Sequence, residues 1–270
     1  MERKYELTKE TKTCFGQTVY RIKSLRTFID GEGNIVNAGD LGGFVRSELN
    51  LSHEGRCWVR DDAVVADYAV VDKNALLMKD CLAYGTANIS DNSVITNTSI
   101  IGEESKVFGN SIIRGGCRIH GNVQIKGSYL NGSIFISDFA EISNSTIIDG
   151  IIVIENNANI ENSSIRGLAN IGGDAKIYNV NLKSSNINLS YGANIKSNND
   201  FLVIGPIGSR FDYTTFYITK DNSIWVCCGC FTGSIEDFAM RVQHTHRNNY
   251  HAKEYFSAIE LAKIILDRGE

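Results

Sequence analysis

The sequence predicts an all-β fold with a small α+β appendage, and two coupled series of residues support this prediction. Every sixth residue from Val59 to Ile125 is aliphatic, at twelve consecutive positions. Four residues after each of these comes a second series, from Ala63 to Tyr129, in which ten of twelve residues are small. A six-residue period is typical of a left-handed parallel β-helix, in which three hexads form one coil of a triangular prism. We expect the aliphatic series to fill the prism and the small series to lie inside its corners.

The repeat continues beyond Leu130 with two apparent one-residue slips. The aliphatic positions then predicted to face inward are Ile136, Ile142, Ile148, Ile154 and Ile160, followed by Ile165, Ile171 and Ile177. Residues 57–205 would therefore form about seven or eight coils. Each coil is stabilised only by its neighbours, because adjacent coils pair backbone to backbone at about 4.8 Å.

Both flanking segments lack the hexad rule. Residues 1–56 contain short alternating runs separated by Gly-rich turn signals, which predicts an N-terminal β cap over the first coil. Residues 206–270 predict a ββαα domain with a hairpin of two strands, 213–219 and 224–228. We expect Ser234 to cap the first helix, which would bury Ile235, Phe238 and Val242. The second helix would run from about Ala252 to Leu266, with Phe256, Ile259 and either Ile264 or Leu266 toward the core.

Composition and charge narrow the function classes. The net charge of -4 and a pI near 5.8 give no reason to expect a nucleic-acid polymer as partner. No apolar run approaches the ~20 residues of a membrane span, so no membrane partner is expected and the protein is predicted to be cytoplasmic. Cys81 and Cys117 would lie two coils apart, about 9.6 Å, too far for a disulfide. This spacing indicates a reducing compartment.

Outward positions of the repeat predict an oligomer interface. The residue before each inward aliphatic is predicted to face solvent. On two sides of the prism it is apolar in successive coils, apart from Arg118 on the second side, whereas the third side is mainly polar. The predicted interface residues are Trp58, Leu76, Val94, Ile112, Leu130 and Ile147 on one side, and Val64, Leu82, Ile100 and Phe135 on the other. Long exposed apolar stripes usually mark interfaces, so we expect a homotrimer. The alternative is that other parts of the same chain cover these stripes.

The segment 205–210, Gly-Pro-Ile-Gly-Ser-Arg, predicts a binding site for a small anion. Its glycines permit close backbone approach, Ser209 adds a hydroxyl, and Arg210 supplies a fork for phosphate or carboxylate. The predicted ligand-binding residues are Ser209, Arg210, Tyr213, Thr214, Thr215 and Arg247. A hinge before the terminal domain is the alternative interpretation.

A cluster of cysteines and histidines in the same domain invites a zinc interpretation. Its members are Cys227, Cys228, Cys230, His244 and His246. Two histidines two residues apart on one helix point about 200° apart, and adjacent strand residues point to opposite faces. We therefore predict no metal site, and no cofactor is expected.

The hexads resemble the left-handed β-helix superfamily of trimeric LpxA-like proteins, over about half of the chain. The runs LGGFV at 41–45 and NLSHEGRCWV at 50–59 are similar to hexapeptide-repeat proteins of bacteria and their phages. The tail, with GSR at 208–210, TTF at 214–216 and CGCF at 228–231, resembles a module often attached to them. These resemblances imply a fold and a phage setting, and they carry no established catalytic residues.

The function predicted from these observations is that of a non-enzymatic, oligomeric, phage-associated binding protein. It would bind or sequester a host component, either a defence protein or a small phosphate-bearing ligand such as a signalling nucleotide. One alternative is an acyl-CoA-dependent acyltransferase with His120 at a subunit boundary as general base, since acyltransferases with this repeat use a histidine. A second alternative is a structural assembly element.

Overall fold

The computed structural model describes residues 2–183 and 186–267 of the 270-residue chain. It confirms the predicted fold class, with a parallel β-solenoid of about eight turns, an antiparallel sheet and two C-terminal helices. The left hand of the coil stays a prediction. The chain divides into two compact units, residues 1–149 and 150–270.

Unit 1 contains the N-terminal strands and the first coils. Its strands are β1 (Tyr5–Cys14), β2 (Gln17–Ser24), β3 (Phe28–Ile29), β4 (Ile35–Val36), β5 (Leu41–Val45), β6 (Trp58–Val59), β7 (Val64–Val65), β8 (Val70–Val71), β9 (Leu76–Leu77), β10 (Leu82–Ala83), β11 (Asn88–Ile89), β12 (Val94–Ile95), β13 (Ile100–Ile101), β14 (Lys106–Phe108), β15 (Ile112–Arg114), β16 (Arg118–Ile119), β17 (Gln124–Lys126), β18 (Tyr129–Ile136) and β19 (Glu141–Ser143). A 3₁₀ helix spans Glu48–Asn50.

The prism interior of unit 1 follows the predicted hexads. All twelve aliphatic positions from Val59 to Ile125 are completely buried. Parallel pairing joins residues 18 apart, for example Leu82 to Ile100 and Ala83 to Ile101. Burial of one Val or Ile contributes roughly 1.5 to 3 kcal/mol, so stacking of these side chains stabilises every coil. Burial also raises the pKa of the inward Cys81 thiol to about 12, and all seven cysteines are free thiols.

Aspartates at the corners tie successive coils together. Asp61, Asp67 and Asp91 adopt positive φ, where Asp and Asn are tolerated better than most residues. Each side chain accepts a hydrogen bond from a backbone N–H 18 residues later, at 3.1, 3.0 and 2.9 Å respectively. Each of these aspartates therefore adopts the backbone conformation that the corner requires and forms a hydrogen bond with the next coil.

The first slip is a shortened corner after Ile125. Leu130 pairs with Ile113, 17 residues away, and is buried. Ser128 occupies the tight corner, donating its N–H to the Ser111 hydroxyl at 3.3 Å and accepting the Ser145 N–H at 3.1 Å. A buried serine hydroxyl thus satisfies the backbone where the corner has lost a residue.

The predicted outward orientation of two residues, Leu130 and Ile147, is therefore wrong. Leu130 and Ile147 are completely buried inside the prism, whereas Tyr129 pairs with the outward Ile112 and Ile148 lies outside the core. Two corners are each shorter by one residue, since the inward position advances by five residues from Ile125 to Leu130 and again from Ile142 to Ile147. Each one-residue shift exchanges the two faces of a strand.

The N-terminal segment covers the start of both apolar columns. Strand β2 pairs antiparallel with β1 and β5, and β5 pairs parallel with β7. Val19 and Phe44 pack on Val64, which is 7% exposed. Trp58 meets the rings of Tyr5 and Phe28 at centroid distances of 6.2 and 5.4 Å. Trp58 and Val64, predicted to face a second subunit, are thus covered by their own chain.

The other predicted interface residues divide by exposure. Leu76 pairs with Trp58 and is completely buried. The remaining five are half-buried on the outside of the prism: Leu82, Val94, Ile100, Ile112 and Phe135.

Unit 2 contains further coils, an antiparallel sheet and both helices. Strand β20 (Thr146–Ile154) contains the boundary between the units, and the strands that follow are β21 (Asn159–Glu161), β22 (Ser164–Arg166), β23 (Ala169–Ile171), β24 (Lys176–Tyr178), β25 (Asn181–Leu182), β26 (Ile187–Leu189), β27 (Asn194–Ile195), β28 (Phe201–Ile207), β29 (Asp212–Ile218), β30 (Ile224–Cys228) and β31 (Phe231–Ser234). The helices are α1 (Ile235–His246) and α2 (Tyr250–Leu266).

The C-terminal sheet has four strands in the order β28-β29-β30-β31, two more than the ββαα prediction. Alternation in β28 is obscured by Gly205 and Pro206, and β31 has only four residues. Ser234 caps α1 as predicted, its hydroxyl accepting the Asp237 N–H at 3.1 Å. Of the two alternatives on α2, Leu266 is buried and Ile264 is 77% exposed. No helix among the described residues combines the length and apolar character that spanning a membrane requires.

Candidate functional site

A cavity of about 440 Å³ lies in unit 2, and four segments form its wall. These are the loop between β28 and β29, the turn between β30 and β31, one face of α1, and Tyr255 of α2. We call it the C-terminal cavity. Its lining residues are Ser209, Arg210, Asp212, Cys228, Gly229, Cys230, Phe231, Thr232, Phe238, Arg241, Val242, Thr245, His246 and Tyr255.

The loop between β28 and β29 is held by its backbone. The Gly208 N–H donates to Glu254 Oε2 of α2 at 3.1 Å, and the same oxygen lies 3.0 Å from His251 Nδ1. A Cβ at position 208 would overlap the Tyr255 hydroxyl, so only glycine fits there. This close approach places Ser209 and Arg210 at the cavity.

The opposite wall is a two-residue turn. Cys228 pairs with Phe231, and Gly229 between them has a φ of +58°, which suits the first central position of a type II′ turn. A Cβ on Gly229 would lie 3.4 Å from Arg210 Nη1. The turn therefore brings backbone close to the Arg210 guanidinium.

Helix α1 contributes one continuous face. Residues at the spacing i, i+3, i+4, i+7 and i+8 share a face of a helix, and this face carries Phe238, Arg241, Val242, Thr245 and His246. Phe238 and Val242 are buried in the hydrophobic core of this domain. Arg241 and Thr245 are exposed, and His246 is half-buried against the Tyr255 ring, at a centroid distance of 5.6 Å.

The two arginines have no partner within residues 2–183 and 186–267. Neither Arg210 nor Arg241 forms an ion pair or a hydrogen bond with another described residue. One carboxylate, that of Asp212, also lines the cavity, and its Oδ1 accepts the Tyr213 N–H at 2.7 Å. Both guanidinium groups therefore keep all their hydrogen-bond donors available.

Tyr255 is the buried hydroxyl of the cavity. It is 7% exposed, and burial raises its pKa to about 12, so the hydroxyl keeps its proton at neutral pH. Thr214 Oγ1 donates to Cys228 Sγ at 3.2 Å, and Cys228 Sγ in turn lies 4.0 Å from the Tyr255 oxygen as a weak donor. Tyr255 is an acceptor in this chain of contacts.

Of the six predicted ligand-binding residues, Ser209 and Arg210 line the C-terminal cavity. Thr214 and Thr215 are buried in β29, where Thr215 Oγ1 accepts the Asn188 N–H at 3.1 Å. Tyr213 is partly exposed, and Arg247 is an exposed residue at the C-terminus of α1. These four residues are not among those that line the cavity, because strand alternation and the helix end direct them elsewhere.

Arg241 and Tyr255 were not among the predicted site residues, and His246 was considered only as a zinc ligand. The helix period that predicted burial of Phe238 and Val242 also places Arg241 and His246 on the adjoining part of the same face, so a signal for these two existed. Tyr255 carried no such signal, because its position at the cavity depends on how α2 packs against the sheet.

Of the five residues considered as zinc ligands, Cys228, Cys230 and His246 line the C-terminal cavity, whereas the candidate general base His120 does not. His120 packs edge-on against Phe135, at a ring-centroid distance of 4.7 Å. Among the described residues no group of three or more His, Cys, Asp or Glu side chains is placed to hold a metal ion.

A scan of the sequence against protein-family models gave no match, and neither did a comparison with curated proteins.

Proposed function

We propose that this protein is a binding protein whose C-terminal cavity holds the anionic group of a small ligand. The observation that carries the proposal is that Arg210 and Arg241 line one cavity and have no partner among the described residues. Guanidinium groups form strong bidentate hydrogen bonds with phosphate and carboxylate.

The surroundings of the two arginines also favour an anion. The hydroxyls of Ser209, Thr232 and Thr245 line the same cavity and can donate hydrogen bonds. The cavity volume of about 440 Å³ is within the usual range of roughly 300–1,000 Å³ for small-molecule sites. A small organic anion therefore fits both the charge and the size of the cavity.

Replacement of Arg241 by glutamine tests this proposal. Equilibrium dialysis with inorganic phosphate as the probe should show binding to the wild-type chain and a loss of about tenfold or more in affinity for Arg241→Gln. The expected loss follows from removing a charge-assisted hydrogen bond, which contributes about 1.5–3 kcal/mol.

Arg247→Gln is the matched control. Arg247 is also an exposed arginine at the end of α1, and it is not among the residues that line the cavity. We expect it to change phosphate affinity by less than about twofold, as for most surface substitutions. Equal losses in both variants, or no phosphate binding to the wild-type chain, would show that the cavity is not an anion site.

The proposal also includes self-association, for which a homotrimer is the predicted state. Its support is that Val94, Ile100 and Ile112 remain half-buried, apolar and outward on adjacent sides of the prism. The phage setting and a host defence component as target remain predictions from the resemblance.

A charged substitution on one apolar column tests self-association. Ile112→Glu should reduce the mass measured by sedimentation at micromolar concentration to that of one chain, because a carboxylate buried in an interface has no partner. Asn88→Glu on the polar side adds the same charge and should leave the assembly intact. A wild-type chain that sediments as a monomer contradicts self-association.

A further inference from the structure

We infer that the ligand of the C-terminal cavity is an organic phosphate whose uncharged body accepts a hydrogen bond from Tyr255, with a nucleoside monophosphate as the representative class. This inference rests on the proposed function. It adds that the cavity has a charged entrance, which we call the mouth, and an uncharged, buried end, which we call the floor.

The Tyr255 hydroxyl has only one weak partner in the described part of the chain. Its one contact is with Cys228 Sγ at 4.0 Å, and its O–H has no oxygen or nitrogen acceptor within residues 2–183 and 186–267. The side chain is buried, and Tyr255 lines the cavity. A buried donor normally has an acceptor, so a ligand atom is the group that would complete it.

The depth of each group sets the orientation of the ligand. Arg210 and Arg241 are exposed and lie at the mouth, whereas Tyr255, Phe238 and Val242 are buried and form the floor. A charged group at this floor would lose its hydration without a partner, which is costly. The ligand should therefore place its charge at the arginines and an uncharged acceptor at Tyr255.

The floor also suits a planar ring. The Phe238 ring is buried between Phe231 and Tyr255, at centroid distances of 5.3 and 5.6 Å, whereas the Phe231 and His246 rings line the cavity and are only half-buried. Aromatic side chains favour stacked or edge contacts with other rings. A heterocycle can make both the ring contact and the hydrogen bond with Tyr255, since it has a flat apolar face and ring atoms that accept hydrogen bonds.

Phosphate fits the mouth better than carboxylate. Two guanidinium groups and three hydroxyls supply more donors than the two oxygens of a carboxylate can accept in one plane. A phosphate monoester presents three terminal oxygens in a tetrahedral arrangement and can engage donors from several elements. The cavity of about 440 Å³ is also large for inorganic phosphate alone.

The test compares three kinds of probe on the wild-type chain and on Tyr255→Phe by isothermal titration calorimetry. The probes are inorganic phosphate, the four ribonucleoside monophosphates, and the corresponding uncharged nucleosides. We expect at least one nucleoside monophosphate to bind about tenfold or more tightly than inorganic phosphate, because the body adds contacts at the floor.

Tyr255→Phe should weaken that nucleotide about five- to tenfold, the usual effect of one lost hydrogen bond, and change phosphate affinity less than twofold. Arg241→Gln should weaken both probes. If Tyr255→Phe fails to fold, as judged by thermal unfolding, the inference is tested by comparing the affinities of the wild-type chain for nucleotide and for inorganic phosphate.

Two failures are distinguishable. If inorganic phosphate binds and Arg241→Gln abolishes this binding, but no nucleotide binds more tightly than phosphate, the inference is overturned and the proposed function stands. If no phosphate-bearing probe binds the wild-type chain, both are overturned.

Discussion

Replacing Ile101 by alanine should lower the free energy of unfolding by about 2–5 kcal/mol, the usual effect of truncating a buried isoleucine. Ile101 is completely buried in the prism and pairs with Ala83 in the preceding coil and Ile119 in the following one. The neighbour on one side is already small, so the cavity left by the substitution has little prospect of being filled. Urea denaturation followed by circular dichroism measures the change.

Ile100→Ala is the matched control, since it removes the same atoms from the adjacent residue. Ile100 is half-buried on the outside of the prism, and its truncation should cost about 1 kcal/mol or less in a single chain. Equal effects of the two substitutions would contradict the inward and outward assignment of this strand. A larger effect of Ile100→Ala, confined to high protein concentration, would instead indicate that a second chain covers it.

Replacing Trp58 by alanine should lower the free energy of unfolding by about 3–5 kcal/mol, because the indole is the largest fully buried side chain. Its ring lies between Tyr5 and Phe28 of the N-terminal segment, so truncation removes the contact that holds this segment over the first coil. The variant should also be cleaved faster by a protease within the first 30 or so residues, where local opening would expose the backbone.

Trp225→Ala provides the comparison. Trp225 is half-buried and meets the Tyr191 ring at a centroid distance of 5.8 Å. Its truncation should cost less than that of Trp58 and leave cleavage of the N-terminal segment unchanged. If the Trp58→Ala variant is as stable and as protease-resistant as the wild-type chain, the contact of Trp58 with Tyr5 and Phe28 does not hold the N-terminal segment in place.

Two features of the repeat show where prediction succeeds and where it fails. The inward series from Val59 to Ile125 was predictable because a period of six places every member on the same face. Leu130 and Ile147 were assigned to the wrong face because the repeat indicated that residues were lost but not at which corners, and the shortened corners follow Ile125 and Ile142. The buried serines at 128 and 145 mark these two corners, but serine also occurs at ordinary corners of the same chain, such as Ser93 and Ser99.

The candidate site was predictable only in part. Ser209 and Arg210 stood out because glycines next to an arginine are a local pattern. The position of Tyr255 beside them depends on packing between the loop, the sheet and α2, and Tyr255 is more than 40 residues from the loop. No local sequence pattern predicts this proximity, since it results from packing of the loop, the sheet and α2 around a shared core.

The six-residue period was sufficient to predict the fold class. Whether a side chain points inward depends on its position in the strand and on the coils that stack on it, and both follow from the repeat. Which outward residues are covered was decided only by tertiary structure, where Phe44 packs on Val64 and Tyr5 and Phe28 meet Trp58. The same holds for the C-terminal cavity, whose wall combines residues from the loop at 208–212 to Tyr255. Contacts between distant segments depend on three-dimensional packing, and a repeat of six residues contains no information about them.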